Sequence, residues 1–187
     1  MNKHKVFCIM GRSASGKSTI AKEVAKQLGL TVVKSYTTRP SRPGETSEDG
    51  DHIFITSDQV DQFQSQIVAY TKINGYEYFV TEDILERADI YVIDPAGLSF
   101  LQKHGEYELI PIYIAVDYEI GMQRAIQRGD DSQGWKQRYE AENTQFSEFE
   151  SMIEKENNCY VVNNNGNIEF AINTVRRYIA ETTLENT

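Results

Sequence analysis

The chain has 187 residues, with 28 acidic against 19 basic side chains, a net charge of -9 and a pI near 4.9. Such a surface repels nucleic-acid backbones and anionic lipid, so neither nucleic acid nor membrane is expected as a partner, although a local arginine cluster can still bind a small anion. A hydrophobic content of 40% with 11 tyrosines and 8 phenylalanines excludes a disordered chain and fits one domain carrying at most small inserted lobes.

KVFCIM (5–10) reads as a buried strand. KSTIAKEVAKQL (17–28) follows as a helix with Ile20, Val24 and Leu28 on one face, stopped by Gly29. TVVKSY is read as a second strand. Residues 36–81 then break the rhythm: TTRPSRPGETSEDGD is irregular, and HIFIT, IVAYTKI and EYFVT read as short hairpin-like strands around a helix-like SDQVDQFQSQ. Strands resume at 88–94, 109–116 and 159–163, alternating with helices at about 97–104, 117–128, 133–156 and 168–182. In the third of these helices the glutamates at 140, 142, 148, 150, 154 and 156 read as the solvated side, with Phe146, Phe149 and Ile153 inward. The alternation implies an α/β fold, a parallel sheet wrapped by helices, with a core at 1–35 and 82–187 and a small β-rich lobe inserted at about 36–81. Cys8 and Cys159 sit in apolar runs with no metal-ligand spacing and read as core side chains. The N-terminal apolar run is too short for a signal peptide or a membrane span, so a cytoplasmic protein is expected.

Between the first strand and helix stands GRSASGKST, with Gly11, Gly16, Lys17 and Ser18 matching Gly-x4-Gly-Lys-Ser. Average residue usage gives such a match by accident in about one chain in a hundred of this length. The strand before it and the helix after it are what the chemistry needs. Glycines let successive N–H groups point inward, and the helix N-terminus adds its positive dipole end. Gly11, Ser13, Ala14, Ser15, Gly16, Lys17, Ser18 and Thr19 are therefore expected to cradle a nucleoside triphosphate. Lys17 would reach the β- and γ-phosphates, and the Ser18 hydroxyl would ligate Mg²⁺.

A second anion site is expected in SYTTRPSRPGE (35–45), where Arg39 and Arg42 stand on a segment stiffened by Pro40 and Pro43. In an open α/β sheet this segment and the phosphate loop would line one crevice. Arg124 and Arg128 fall on one helix face, and Arg138 is ten residues further on. Glycines 129 and 134 bracket DDSQ and suggest a hinged segment at 124–138. Asp94, ending DIYVID, is read either as a group holding Mg²⁺ through water or facing an acceptor, or as the cap of the next helix.

Taken in order, the P-loop, S-x-TTR-x-x-R-x-GE, the acidic-glycine stretch before an aromatic strand and R-x-x-x-RG resemble guanylate kinase over nearly the whole chain. The resemblance implies a P-loop core with a nucleotide-monophosphate lobe and a short lid. It also implies ATP-dependent phosphoryl transfer to GMP or dGMP, giving GDP or dGDP, with ATP and Mg²⁺ required and small nucleotides as substrates. Carried over by residue, Arg39, Arg42 and Tyr78 match groups on the acceptor phosphate, and Ser35 matches a serine near the base. Arg124, Arg128 and Arg138 match arginines closing over the triphosphate, and Asn163 a position near the donor adenine. The pattern departs at Val92, where the family usually shows a second acid two residues before Asp94, and at three further places. His52 replaces a phosphate-binding tyrosine, and Ala69 replaces the glutamate that accepts from guanine, for which Glu77 or another carboxylate is the candidate substitute. The small hydroxyl near the base falls on Val80, or on Thr81 if one residue is inserted. These departures leave open a kinase of the same fold acting on another monophosphate or a phosphorylated sugar. A non-catalytic binding module, or an ATP-binding regulator, are the further alternatives.

Overall fold

The computed structural model describes residues 3–41, 45–48, 50–156 and 158–184. In chain order the elements are β1 (His4–Met10), α1 (Lys17–Leu28), β2 (Ser35–Thr37), β3 (His52–Phe54), a 3-10 helix (Ser57–Phe63), β4 (Ile67–Ile73) and β5 (Tyr76–Thr81). There follow α2 (Glu82–Leu85), β6 (Ile90–Val92), α3 (Pro95–Gln102), β7 (Tyr107–Ala115), α4 (Tyr118–Gln127), α5 (Ser132–Glu156), β8 (Tyr160–Asn163) and α6 (Ile168–Leu184).

Val6 to Met10 are buried at every position, which a strand achieves only when both its faces are covered. β1 lies inside a parallel sheet ordered β6-β1-β7-β8. Its side chains alternate between two cores. Val6, Cys8 and Met10 pack with Leu98 and Leu101 of α3 and with Phe146, Phe149 and Ile153 of α5. Phe7 and Ile9 pack with Ile20 and Val24 of α1 and Ile172 and Val175 of α6. The sheet is thus sandwiched by helices, as the alternating pattern predicts.

The lobe has its own sheet, ordered β3-β2-β5-β4. β4 and β5 form a hairpin over Asn74 and Gly75, whose φ values of 50° and 83° belong to a two-residue turn that favours these residue types. β2 and β3 pair in parallel, an arrangement that short alternating runs do not reveal. The stretch TVVKSY is not one strand. Val32 makes a single parallel bridge to Ile90 beside the core sheet, and Ser35–Thr37 then crosses into the lobe sheet. The helix-like SDQVDQFQSQ is the 3-10 segment.

Gly129 (φ 99°) follows α4, but Gly134 lies inside the first turn of α5, where its N–H donates to Asp131 Oδ1 at 2.8 Å. The interruption between the two helices is therefore 128–131, and only one of the two bracketing glycines falls in it. Cys8 and Cys159 are both free thiols, each pushed up to about 12 by burial. Among the described residues no helix is long and apolar enough to cross a membrane.

Candidate active site

The turn from β1 to α1 is shaped by what surrounds it. A Cβ at Gly11 would meet the Ser15 hydroxyl at 2.5 Å and the Ile114 carbonyl of β7 at 2.8 Å, so no larger residue fits. Ala14 (φ 61°) and Gly16 (φ 86°) both take left-handed backbone, which curls the loop before the helix begins at Lys17. A Cβ at Gly16 would also strike Asn164 Nδ2 at 2.7 Å. Ser15 is fully buried, and its hydroxyl has no hydrogen-bond partner among the described residues. Lys17 Nζ lies 3.4 Å from the Arg12 carbonyl, and desolvation lowers its pKa despite the opposing pull of Glu142. A lysine held there without a fully compensating anion favours binding one.

A cavity of about 680 Å³ joins this loop to the lobe. Gly11, Ser13, Ala14, Lys17 and Ser18 line one end, and Ser35, Arg39, His52 and Tyr78 line the other. Ser35 Oγ and His52 Nδ1 are hydrogen-bonded at 2.9 Å, and the His52 ring stands edge-on to Tyr78 with centroids 5.6 Å apart. Arg39 donates both terminal nitrogens to Glu45 at 2.9 Å and lies over the Phe54 ring. The Glu45 hydrogen bonds are the first cause of its raised pKa, and Tyr78 adds to it. Arg42 lies outside the described residues.

The remaining predicted residues divide. Arg128 and Arg138 line the same cavity, with Arg128 donating to Asp130. Arg124 and Thr19 line a shallower depression of about 390 Å³ with Ala14, Gly16, Arg128 and Ile168. Arg124 donates Nη2 to the Gly166 carbonyl, while its buried Nη1 has no partner among the described residues. Asp94 caps α3, accepting from Gly97 N–H at 2.7 Å. Its other oxygen accepts from Thr71 Oγ1 at 2.8 Å and Gln145 Nε2 at 3.2 Å, at the cavity wall. Thr81 is buried, donates to Asp83 and lines neither cavity. Asn163 is exposed, lines neither cavity, and accepts from Asn165 N–H in the turn.

Several site residues are not evident from the sequence. Asn164, one position beyond Asn163, is 1% exposed and donates to the Ser15 carbonyl at 2.8 Å, bracing the loop. Arg12, at a variable position of the motif, is buried and reaches α5. Glu142 and Glu150 of α5 turn inward to Ser13 and Arg12, contrary to the expectation that the helix glutamates face solvent. The signal was present as a helical stripe, since Tyr139, Asn143, Phe146 and Glu150 recur at spacings of three and four.

A backbone-amide nest with its lysine, facing an arginine, a tyrosine and a histidine across one cavity, defines a P-loop nucleotide-binding protein. The family model for guanylate kinase matches residues 3–182. The chain is 32% identical to the guanylate kinase of Thermotoga maritima, over 97% of this chain and 90% of that one. It is 33% identical to that of Desulfotalea psychrophila, over 71% of this chain and 70% of that one. Among solved structures, guanylate kinase from Anaplasma phagocytophilum superposes with a TM-score of 0.66 at 17% identity, covering 100% of this chain and 87% of that one. The chain belongs to the guanylate kinase family.

Proposed function

We propose that this chain transfers the γ-phosphoryl group of ATP to GMP or dGMP, giving ADP and GDP or dGDP. The carrying observation is the single cavity with Lys17 and the loop amides at one end and Arg39 and Tyr78 at the other. A donor triphosphate on Gly11–Ser18 and an acceptor phosphate gripped by Arg39, Tyr78 and Arg42 would meet end to end. Positioning and charge then supply the rate, with no covalent intermediate. Arg128 and Arg138 line the space between, and Arg124 approaches from the adjoining depression, so segment 124–138 serves as the lid. Their guanidinium groups would stabilise charge on the equatorial oxygens in flight.

Among the described residues no cluster of three acidic, histidine or cysteine side chains could hold a metal. That suits Mg²⁺, which takes one or two protein ligands together with substrate phosphates. Ser18 would hold it, with Asp94 reaching it through an intervening water. When bound, the ion neutralises charge on the donor phosphates.

Guanine recognition needs an acceptor for N1–H and the exocyclic amine. Ala69 is fully buried in the core and Glu77 accepts from Tyr70, so neither offers one to the cavity. Of the carboxylates lining it, Glu45 is engaged by Arg39, Asp51 by Lys22 and Glu142 by Ser13. Asp94 is engaged as well, but its Oδ2 accepts only from the neutral side chains of Thr71 and Gln145, which can turn aside, so it is the group we assign to reading guanine. The free thiols fit the reducing cytoplasm. Rates of ADP formation with GMP, dGMP, AMP, CMP and UMP test the assignment. GMP should be the best acceptor, and equal rates across the panel contradict it.

A further inference from the structure

Helix α5 turns two adjacent stripes toward the P-loop. Arg138, Glu142 and Gln145 line the cavity. Tyr139, Asn143, Phe146 and Glu150, on the neighbouring stripe, surround the Arg12 guanidinium. Arg12 is 5% exposed, donates Nε and Nη2 to the two Glu150 oxygens at 2.9 Å each, donates to Asn143 Oδ1 at 3.2 Å, and has Tyr139 at 4.8 Å. A buried fork of this kind fixes position as well as charge. Tyr113 donates to the same Glu150 carboxylate from β7, tying the helix to the core sheet.

With α5 held in this register, Glu142 reaches the mouth of the loop. Its Oε2 accepts from Ser13 N–H at 2.9 Å, and its Oε1 accepts from the Ser13 hydroxyl. A carboxylate oxygen on a P-loop amide makes the bond that a phosphate oxygen makes there.

We propose that Glu142 is an internal stand-in for a donor phosphate oxygen and that Arg12 is the positioning residue holding it on Ser13. ATP binds by expelling Glu142, and the displacement passes along the same stripe to Arg138, one helical turn away. This rests on reading Gly11–Ser18 as the donor site. The apparent affinity for ATP is then lowered by the share of molecules in which the latch is closed. Arg12 and Glu150 set that share without touching the nucleotide.

The test is equilibrium titration of ATP with Mg²⁺ into the wild-type protein, Glu142→Gln, Glu142→Ala and Arg12→Lys, with steady-state kinetics alongside. Trp135, the only tryptophan, lies 1% exposed in the first turn of α5 against Tyr118 and Tyr139, so its fluorescence reports movement of that helix. Both Glu142 variants should bind ATP about tenfold tighter, leave the KM for GMP unchanged, and show a smaller Trp135 response to ATP than the wild type. Arg12→Lys should lower the KM for ATP and also lower kcat, because Arg138 loses its support; a merely structural role would lower the melting temperature and leave that KM alone. Unchanged or weaker ATP binding in both Glu142 variants overturns the latch and leaves the donor site standing. Failure of the wild-type protein to bind ATP overturns the donor site and the latch together.

Discussion

The proposed donor and acceptor ends of the cavity are built from different materials. At the donor end the binding groups are mainly backbone amides, set by a strand, a left-handed turn and a helix that are contiguous in sequence. At the acceptor end they are side chains from β2, β3, β5 and the segment after β2, brought together by a separate small sheet. Each end also holds one of the protein's own carboxylates, Glu142 on Ser13 and Glu45 on Arg39. A backbone cradle depends on few side chains, whereas a side-chain grip can be dismantled residue by residue.

That contrast orders the expected effects. Lys17→Ala should be the most damaging change, lowering kcat/KM by about 10³-fold because charge at the transferred group loses its main counterpart; GMP binding by calorimetry should survive. Arg39→Ala should follow, costing about 10²-fold in kcat/KM for GMP with the KM for ATP unchanged, and Arg39→Lys should recover little because it lacks the fork. Asp94→Asn separates the two roles of that residue. Asparagine still caps α3, so the melting temperature should hold, while the KM for GMP should rise roughly tenfold. A loss of stability without a change in that KM would mean that Asp94 is only a cap.

The smallest effect concerns pH. Burial pushes the Glu150 carboxyl up, but hydrogen bonds from Arg12 and Tyr113 outweigh it and hold the pKa below the ordinary value. Its contribution to stability is therefore present above the usual carboxylate pKa of about 4.3 and is lost as pH falls through the lower folded value. Urea unfolding of Glu150→Gln should show a shallower loss of stability over that acid range than the wild type. An identical slope would show that the Arg12–Glu150 pair does not couple folding to protonation.

The same contrast explains what could be read from the chain alone. The P-loop was legible because its chemistry is local, and β1 because a strand buried on both faces must be continuously apolar. Boundaries blurred where one run serves two sheets, as at Val32–Thr37, since apolar alternation carries no record of which sheet a residue joins. Arg12 and Glu142 were missed because charge is ordinarily a sign of solvent exposure, and only the packing of α5 over the loop reverses it. Asn164 was missed by a single position, since Asn163 at the end of β8 is followed by two further asparagines that only the fold distinguishes. The hairpin character of the lobe strands was legible, whereas the parallel pairing of β2 with β3 depends on contacts across an irregular connection.

One cavity should hold both anionic ligands at once, end to end. A dinucleotide joining adenosine and guanosine through five phosphates spans such a site, because tethering supplies the second ligand at high effective concentration. It should bind far more tightly than ATP or GMP alone and compete with both substrates. Competition with only one of them, at an affinity no better than that substrate's own, would contradict the account.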